Sequence, residues 1–209
     1  MSSDSWYRNT QWNAEVAATF DAKLARSRSQ KAQYLRIQGS ILKDSHPQVA
    51  IALLRRCIDE GDAFHIAHAL LDTAHAHYAM GNIEAALDLL EAAIQQQVSE
   101  PMFRTSAAYD YAMLVALHES ADRYDKALAV LERADDPPFA TMLFQAEAAR
   151  AVIYSSRGMV EQARRAGRNA MAAREVRTGW IPGHPDVGVI PEGDDPLSKR
   201  VRAIVDACH

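Results

Sequence analysis

Apolar side chains recur every three or four positions along most of this chain, the spacing that gathers them on one face of a helix. The clearest stretch holds Ile83, Ala86, Leu87, Leu90, Ala93 and Ile94, while the strict alternation of a half-buried strand is absent. Nearer the start, Trp12, Val16, Phe20 and Leu24 recur every four residues, with Asn13 or Thr10 placed to cap them, and this predicts an amphipathic helix. Toward the end, Thr178 to Asp195 holds Pro182, Pro185, Pro191 and Gly179, Gly183, Gly188, Gly193, which cannot continue a helix and predict an irregular arm. Asp195-Pro196 then offers an N-cap followed by proline at the first helical position. The stripe Leu197, Val201, Ile204, Val205 predicts a terminal helix that docks on the element before it.

Between those ends the pattern repeats. Ala50, Ala86, Ala127 and Ala163 occupy equivalent places, separated by 36, 41 and 36 residues. A large residue precedes three of them at Ile83, Tyr124 and Val160, with Pro47 in the first unit, and a second small residue follows at Cys57, Ala93, Ala134 and Ala170. Gly81 and Gly158 supply turn glycines where Ser45 and Asp122 stand in the other two units. The five additional residues in the second interval, around Gln97 to Met102, predict a longer helix or loop there. Small residues on facing surfaces permit close helix approach, and a lone helical pair cannot bury its stripe, so each must stack on its neighbours.

This order of small residue, turn glycine, large residue and paired alanines resembles the tetratricopeptide repeat, a helical hairpin of about 34 residues. The resemblance covers residues 30–177 and implies an all-α, right-handed superhelical solenoid of antiparallel hairpins, with about four repeats and a capping helix at each end. Residues 1–29 form the N-terminal segment and cap, and 178–209 the arm and C-terminal helix. The opening Trp6-Tyr7-Arg8-Asn9-Thr10-Gln11-Trp12 is similar to that of free-standing bacterial members of the family.

Composition narrows the class. With 48% apolar and 24% charged residues the chain is in the range of folded globular proteins. The net charge of -4 disfavours a phosphate backbone as partner. Met1 to Gln11 lack the cationic start and apolar run of a secretory signal, and no stretch approaches the roughly 18 apolar residues of a spanning helix, so a cytoplasmic protein without a membrane partner is expected. Cys57 and Cys208 make no paired spacing and read as a buried thiol and a tail thiol.

Three candidate chemistries follow from particular residues. His65, His68, Asp72 and His75 lie within about 80° of one another around a helix and could present metal ligands, as the pair His68 and Asp72 does at i, i+4. Yet His65 and His75 stand about 15 Å apart along the axis, so one ion would need a ligand from another helix, and a polar groove lining is the simpler reading. His77 points elsewhere and reads as a satisfied core histidine. Arg150, Arg157, Arg164, Arg165, Arg168, Arg174 and Arg177 face few local acids and could hold nucleic-acid phosphates, though aromatics for stacking are sparse beside Tyr154. No glycine-rich phosphate loop, GxSxG elbow or CxxC pair is present, so no catalytic residue, cofactor or metal is assigned.

The resemblance implies a concave groove lined by the first helix of each hairpin. By repeat position the lining comprises Leu35, Leu42 and Lys43, then His68, Leu71, Asp72, His75 and Tyr78. The third unit adds Tyr109, Ala112, Met113, Ala116 and Glu119, and the fourth Gln145, Val152 and Ser155. A groove of this kind captures another protein or peptide, as an immunity protein, chaperone or adaptor does. The alternatives are a metal-binding or catalytic site on the His68, Asp72, His75 stripe, and nucleic-acid binding by the arginine-rich hairpin. The irregular arm, through Trp180-Ile181-Pro182, is expected to pack in the groove or on the last hairpin.

Overall fold

The computed structural model describes residues 5–100, 102, 104–179, 181–193 and 195–207, and all regular structure among them is helical. The chain divides into two compact units, residues 1–107 and 108–209.

The first unit begins with α1 (Ala14–Arg26), capped by Asn13, whose side chain accepts the Val16 N–H at 2.9 Å. Phe20 and Leu24 of its stripe are buried. Next come α2 (Lys31–Leu42), α3 (Pro47–Asp59), α4 (Ala63–Ala79) and α5 (Ile83–Ser99). Each packs on the next, and α2 also packs on α4. Close approach depends on the small residues: Ala50, Cys57, Ala86 and Ala93 are all fully buried on α3 and α5. Gly39 serves the same end on α2, where a β-carbon would lie 2.6 Å from Leu54 Cγ. Proline opens α3 as expected, and Gly81 turns α4 into α5 at φ 77°, a conformation costly for any residue with a β-carbon. The extra residues after Ile94 lengthen α5, which runs to Ser99.

The second unit holds α6 (Ala107–Leu117), whose first residue lies at the boundary, then α7 (Tyr124–Arg133), α8 (Ala140–Ser156), α9 (Val160–Arg174) and α10 (Pro196–Asp206). The α8 and α9 helices pack along each other, and α10 lies on both. Ala127 and Ala163 are buried, as is Ala170. Ala134 departs from the expected pattern: Asp135-Asp136-Pro137-Pro138 ends α7 at Arg133, and Ala134 becomes an extended cap. The Asp195 side chain caps α10 by accepting the Ser198 N–H at 2.9 Å, and Val201 and Val205 fit against Gly167.

The arm is tied down at several points. The Thr141 N–H donates to the Gly188 carbonyl at 3.0 Å, Gly188 sits on the Phe139 ring, and Arg174 donates to the Gly193 carbonyl and to Asp195 at 2.9 Å. Its attachments are therefore the start of α8 and the end of α9. Trp180, expected to anchor it, lies outside the described residues, as does Cys208; Ile181 is half-buried and Pro182 exposed.

Candidate functional site

In the first unit α2 packs on α4, and residues later in α2 meet residues later in α4, so the two helices run side by side in the same direction. Their register is set by Ser40, whose Oγ donates to Asp72 Oδ1 at 3.1 Å. Lys43, the C-cap residue just past the end of α2, places Nζ 3.9 Å from the same oxygen and donates to the Ser40 carbonyl at 3.3 Å. One turn earlier, Arg36 of α2 acts electrostatically on His65 and His68 of α4. The result is a ladder of polar side chains, Arg36, Ser40 and Lys43 opposite His65, His68 and Asp72, with His75 above them.

Burial dominates the electrostatics of this ladder. The Asp72 carboxyl is pushed up by burial, against the pull of Lys43, Ser40, His75 and Arg36. His65 and His68 are pushed down by burial first and by the Arg36 guanidinium second; Asp62 and Asp72 partly oppose this, as does the Phe64 carbonyl for His68. Both imidazoles are therefore neutral near pH 7. Phe64 is half exposed, with its ring stacked near His68 at 6.1 Å and set edge-on to His65 at 4.8 Å. Cys57 is an inert thiol: fully buried, donating to the Ala32 carbonyl at 3.2 Å and raised to about 12 by burial.

The lining expected from repeat position departs from this face in part. Leu35 and Leu42 are 1% and 0% exposed and belong to the core, while Arg36 and Ser40, not picked out in the sequence, occupy the polar ladder with Lys43. His68, Leu71 and His75 are half-buried, Tyr78 is exposed, and Asp72 is buried and engaged by Ser40. His77 is not satisfied as expected, since its Nδ1 is buried without a hydrogen-bond partner.

In the second unit, Tyr109, Ala112, Ala116 and Val152 are buried, so they pack rather than line a surface. Tyr109 nonetheless sends its hydroxyl to the Asp135 carbonyl at 2.6 Å. Met113 and Gln145 do come together: Gln145 Nε2 donates to Asp110 Oδ1 at 2.7 Å and lies 3.5 Å from Met113 Sδ. Asp110, buried on α6, was not anticipated. Ser155 is exposed, and Glu119 lies beyond α6 in the left-handed region at φ 55°, paired with Arg200 at 2.8 Å, instead of on a helical lining.

The basic end is also less bare than its sequence suggests, because acids of the same helices and of other elements reach it. Arg150 pairs with Glu147 at 2.5 Å, Arg157 with Asp125 at 2.7 Å and Arg174 with Asp195 at 2.9 Å. Arg164 and Arg177 face Glu161 and the pair Glu175 and Glu192 at 3.6–3.9 Å. Arg165 and Arg168 are exposed.

Among the described residues, no three His, Cys, Asp or Glu side chains converge as a metal site would require, and no helix is long and apolar enough to cross a membrane. No family model, curated protein or solved structure matches the chain.

Proposed function

We propose that the helical pairs are tetratricopeptide-type hairpins and that the chain is a non-enzymatic scaffold, holding a segment of another protein against its first-helix faces. The observation that carries this reading is the packing of α2 against α4 with a polar ladder running along both, from Arg36 to His75. A preformed helical face loses little conformational freedom when it binds, which suits a scaffold. The burial of Ala50, Ala86, Ala127 and Ala163 supports the repeat assignment, since these are the positions where one hairpin helix crosses another. An immunity protein, a chaperone or an assembly adaptor working in the cytoplasm is compatible with such a face.

The metal reading is weaker, because Asp72 already receives Ser40 and Lys43 while His65 faces a cation. The nucleic-acid reading is weaker because most arginines of the last hairpin meet carboxylates.

Site-specific photocrosslinking in the native cell tests the proposal. A crosslinker at Lys43 or Tyr78 should trap one discrete protein, whereas a crosslinker at exposed Arg55 on α3 should not. Equal capture from both faces, or capture from neither, would reject the scaffold reading.

A further inference from the structure

We propose that Arg36, His65 and His68, with Phe64 as an apolar wall, recognise an acidic side chain of the bound protein segment. This rests on the reading that the face of α2 and α4 holds a protein.

The argument starts from the unequal rungs of the ladder. Lys43 has a carboxylate partner in Asp72, which also receives Ser40. Arg36, one turn before Ser40, has none: no described ion pair includes it, and its Nε is buried without a hydrogen-bond partner. A buried guanidinium N–H left unmatched is rare in native proteins and asks for an acceptor. Opposite it stand imidazoles where Asp72 stands one turn on, and His65, only 6% exposed, likewise buries an unpartnered Nδ1. The cluster offers donors and lacks an anion.

Nearby carboxylates are engaged elsewhere. Asp62 caps α4 by accepting the Phe64 N–H at 3.0 Å, and Asp72 is held by Ser40. From α3 the facing titratable group is the Cys57 thiol, which stays neutral. From α5 the residues turned inward are Ala86, Leu87, Leu90 and Ala93, while Glu84 and Asp88 are exposed. An incoming carboxylate would complete the rung at Arg36, whose planar fork matches it with two parallel hydrogen bonds. It would also reverse the field at His65 and His68, so that binding draws protons onto the imidazoles. The Phe64 ring, stacked near His68 at 26° between planes, shields one side from water and strengthens the pairing.

The test uses the full chain and three probes, followed through the imidazole resonances of His65 and His68. The probes are a capped hexapeptide of alternating glutamate and glycine, its glutamine counterpart, and inorganic phosphate. The glutamate peptide should shift both imidazoles saturably and raise the pH at which His68 titrates; the glutamine peptide should not. Arg36→Gln should weaken the glutamate peptide at least tenfold, and Arg36→Lys, which keeps the charge but loses the fork, should weaken it less. No shift, equal shifts from both peptides, or affinity unchanged in Arg36→Gln would overturn the site. Shifts from phosphate but not from the peptide would overturn the acidic side chain as its ligand. If a crosslinked partner ignores Arg36→Gln, the site falls and the scaffold stands. If the peptide binds but this face traps no partner, the scaffold falls and the site stands.

Discussion

Gln38, fully buried in α2, clamps Asn9 through both its backbone N–H and its backbone carbonyl. Its Oε1 accepts the Asn9 backbone N–H and Asn9 Nδ2, each at 2.9 Å, and its Nε2 donates to the Asn9 carbonyl at 2.8 Å. This fixes the residues before α1 so that Trp6 meets Tyr34 at 4.8 Å and Phe20 at 5.3 Å. Gln38→Ala removes all three bonds, leaves the Asn9 backbone groups unmatched and opens a gap. The expected loss is about 2–4 kcal/mol. Urea unfolding measures it, and a change below about 0.5 kcal/mol, as for an ordinary surface site, would show that the clamp is not structural.

Gly39, the next residue, sets how closely α2 approaches α3. A β-carbon there would stand 2.6 and 2.9 Å from Leu54 Cγ and Cδ2. Alanine in a helix normally gains about 0.5–1 kcal/mol over glycine, but here overlap with a fully buried leucine outweighs it. Gly39→Ala is expected to destabilise by about 1–3 kcal/mol. In combination with Leu54→Ala, which vacates the space, the two costs should fall well short of their sum. Strict additivity in a double-mutant cycle would place the strain elsewhere.

These two residues also explain what the sequence conceals. Ala50, Ala86, Ala127 and Ala163 were legible because small residues at a regular interval have one economical use, close helix contact. In α2 the core face is Ala32, Leu35, Gln38, Gly39 and Leu42, two of which are not hydrophobic, while Tyr34, Ile37 and Ile41 give a second apolar face. Leu35 and Leu42 could thus be set on the exposed lining when Arg36 and Ser40 hold the polar face toward α4, because one residue rotates a helix position by about 100°. In α8 the run of alanines is apolar nearly all round, so periodicity does not say which side Val152 faces. Glu119 was invisible for another reason: a left-handed turn usually announces itself by glycine, and here it does not.

Glu147 is the buried junction of the second unit. Its Oε1 receives Arg150 Nη1 at 2.5 Å and its Oε2 receives Asn169 Nδ2 at 2.9 Å, while Arg150 Nη2 reaches the Leu131 carbonyl at 3.2 Å. One carboxylate thereby links α8 to α9 directly and to α7 through Arg150. Glu147→Ala leaves a mostly buried guanidinium without its counterion. The expected cost is about 2–4 kcal/mol, somewhat below a fully buried pair because Arg150 keeps 26% side-chain exposure. Replacing both partners, Glu147→Leu with Arg150→Met, should cost less than Glu147→Ala alone. Chemical denaturation decides, and a double variant no better than the single would mean that the orphaned charge is not the origin of the loss.

His65 and His68 make stability depend on pH in a determined direction. Burial and Arg36 hold both rings below the ordinary value of 6.5, so the unfolded chain takes up their protons at a higher pH than the folded one. Between those values the unfolded state carries more protons. Stability is therefore full above 6.5 and lost as pH falls through 6.5 toward the lowered folded values. Asp72 acts in the opposite sense in a different window. Its carboxyl is raised in the fold, so its contribution is full below 3.8 and lost as pH rises above that value. From pH 7.5 to 5.5 the histidines should dominate, and the melting temperature should fall. In the pair His65→Asn and His68→Asn that fall should flatten, which ties it to these two rings. A melting temperature constant over this range, or a slope unchanged in the paired variant, would show that the two imidazoles are not held neutral between α2 and α4.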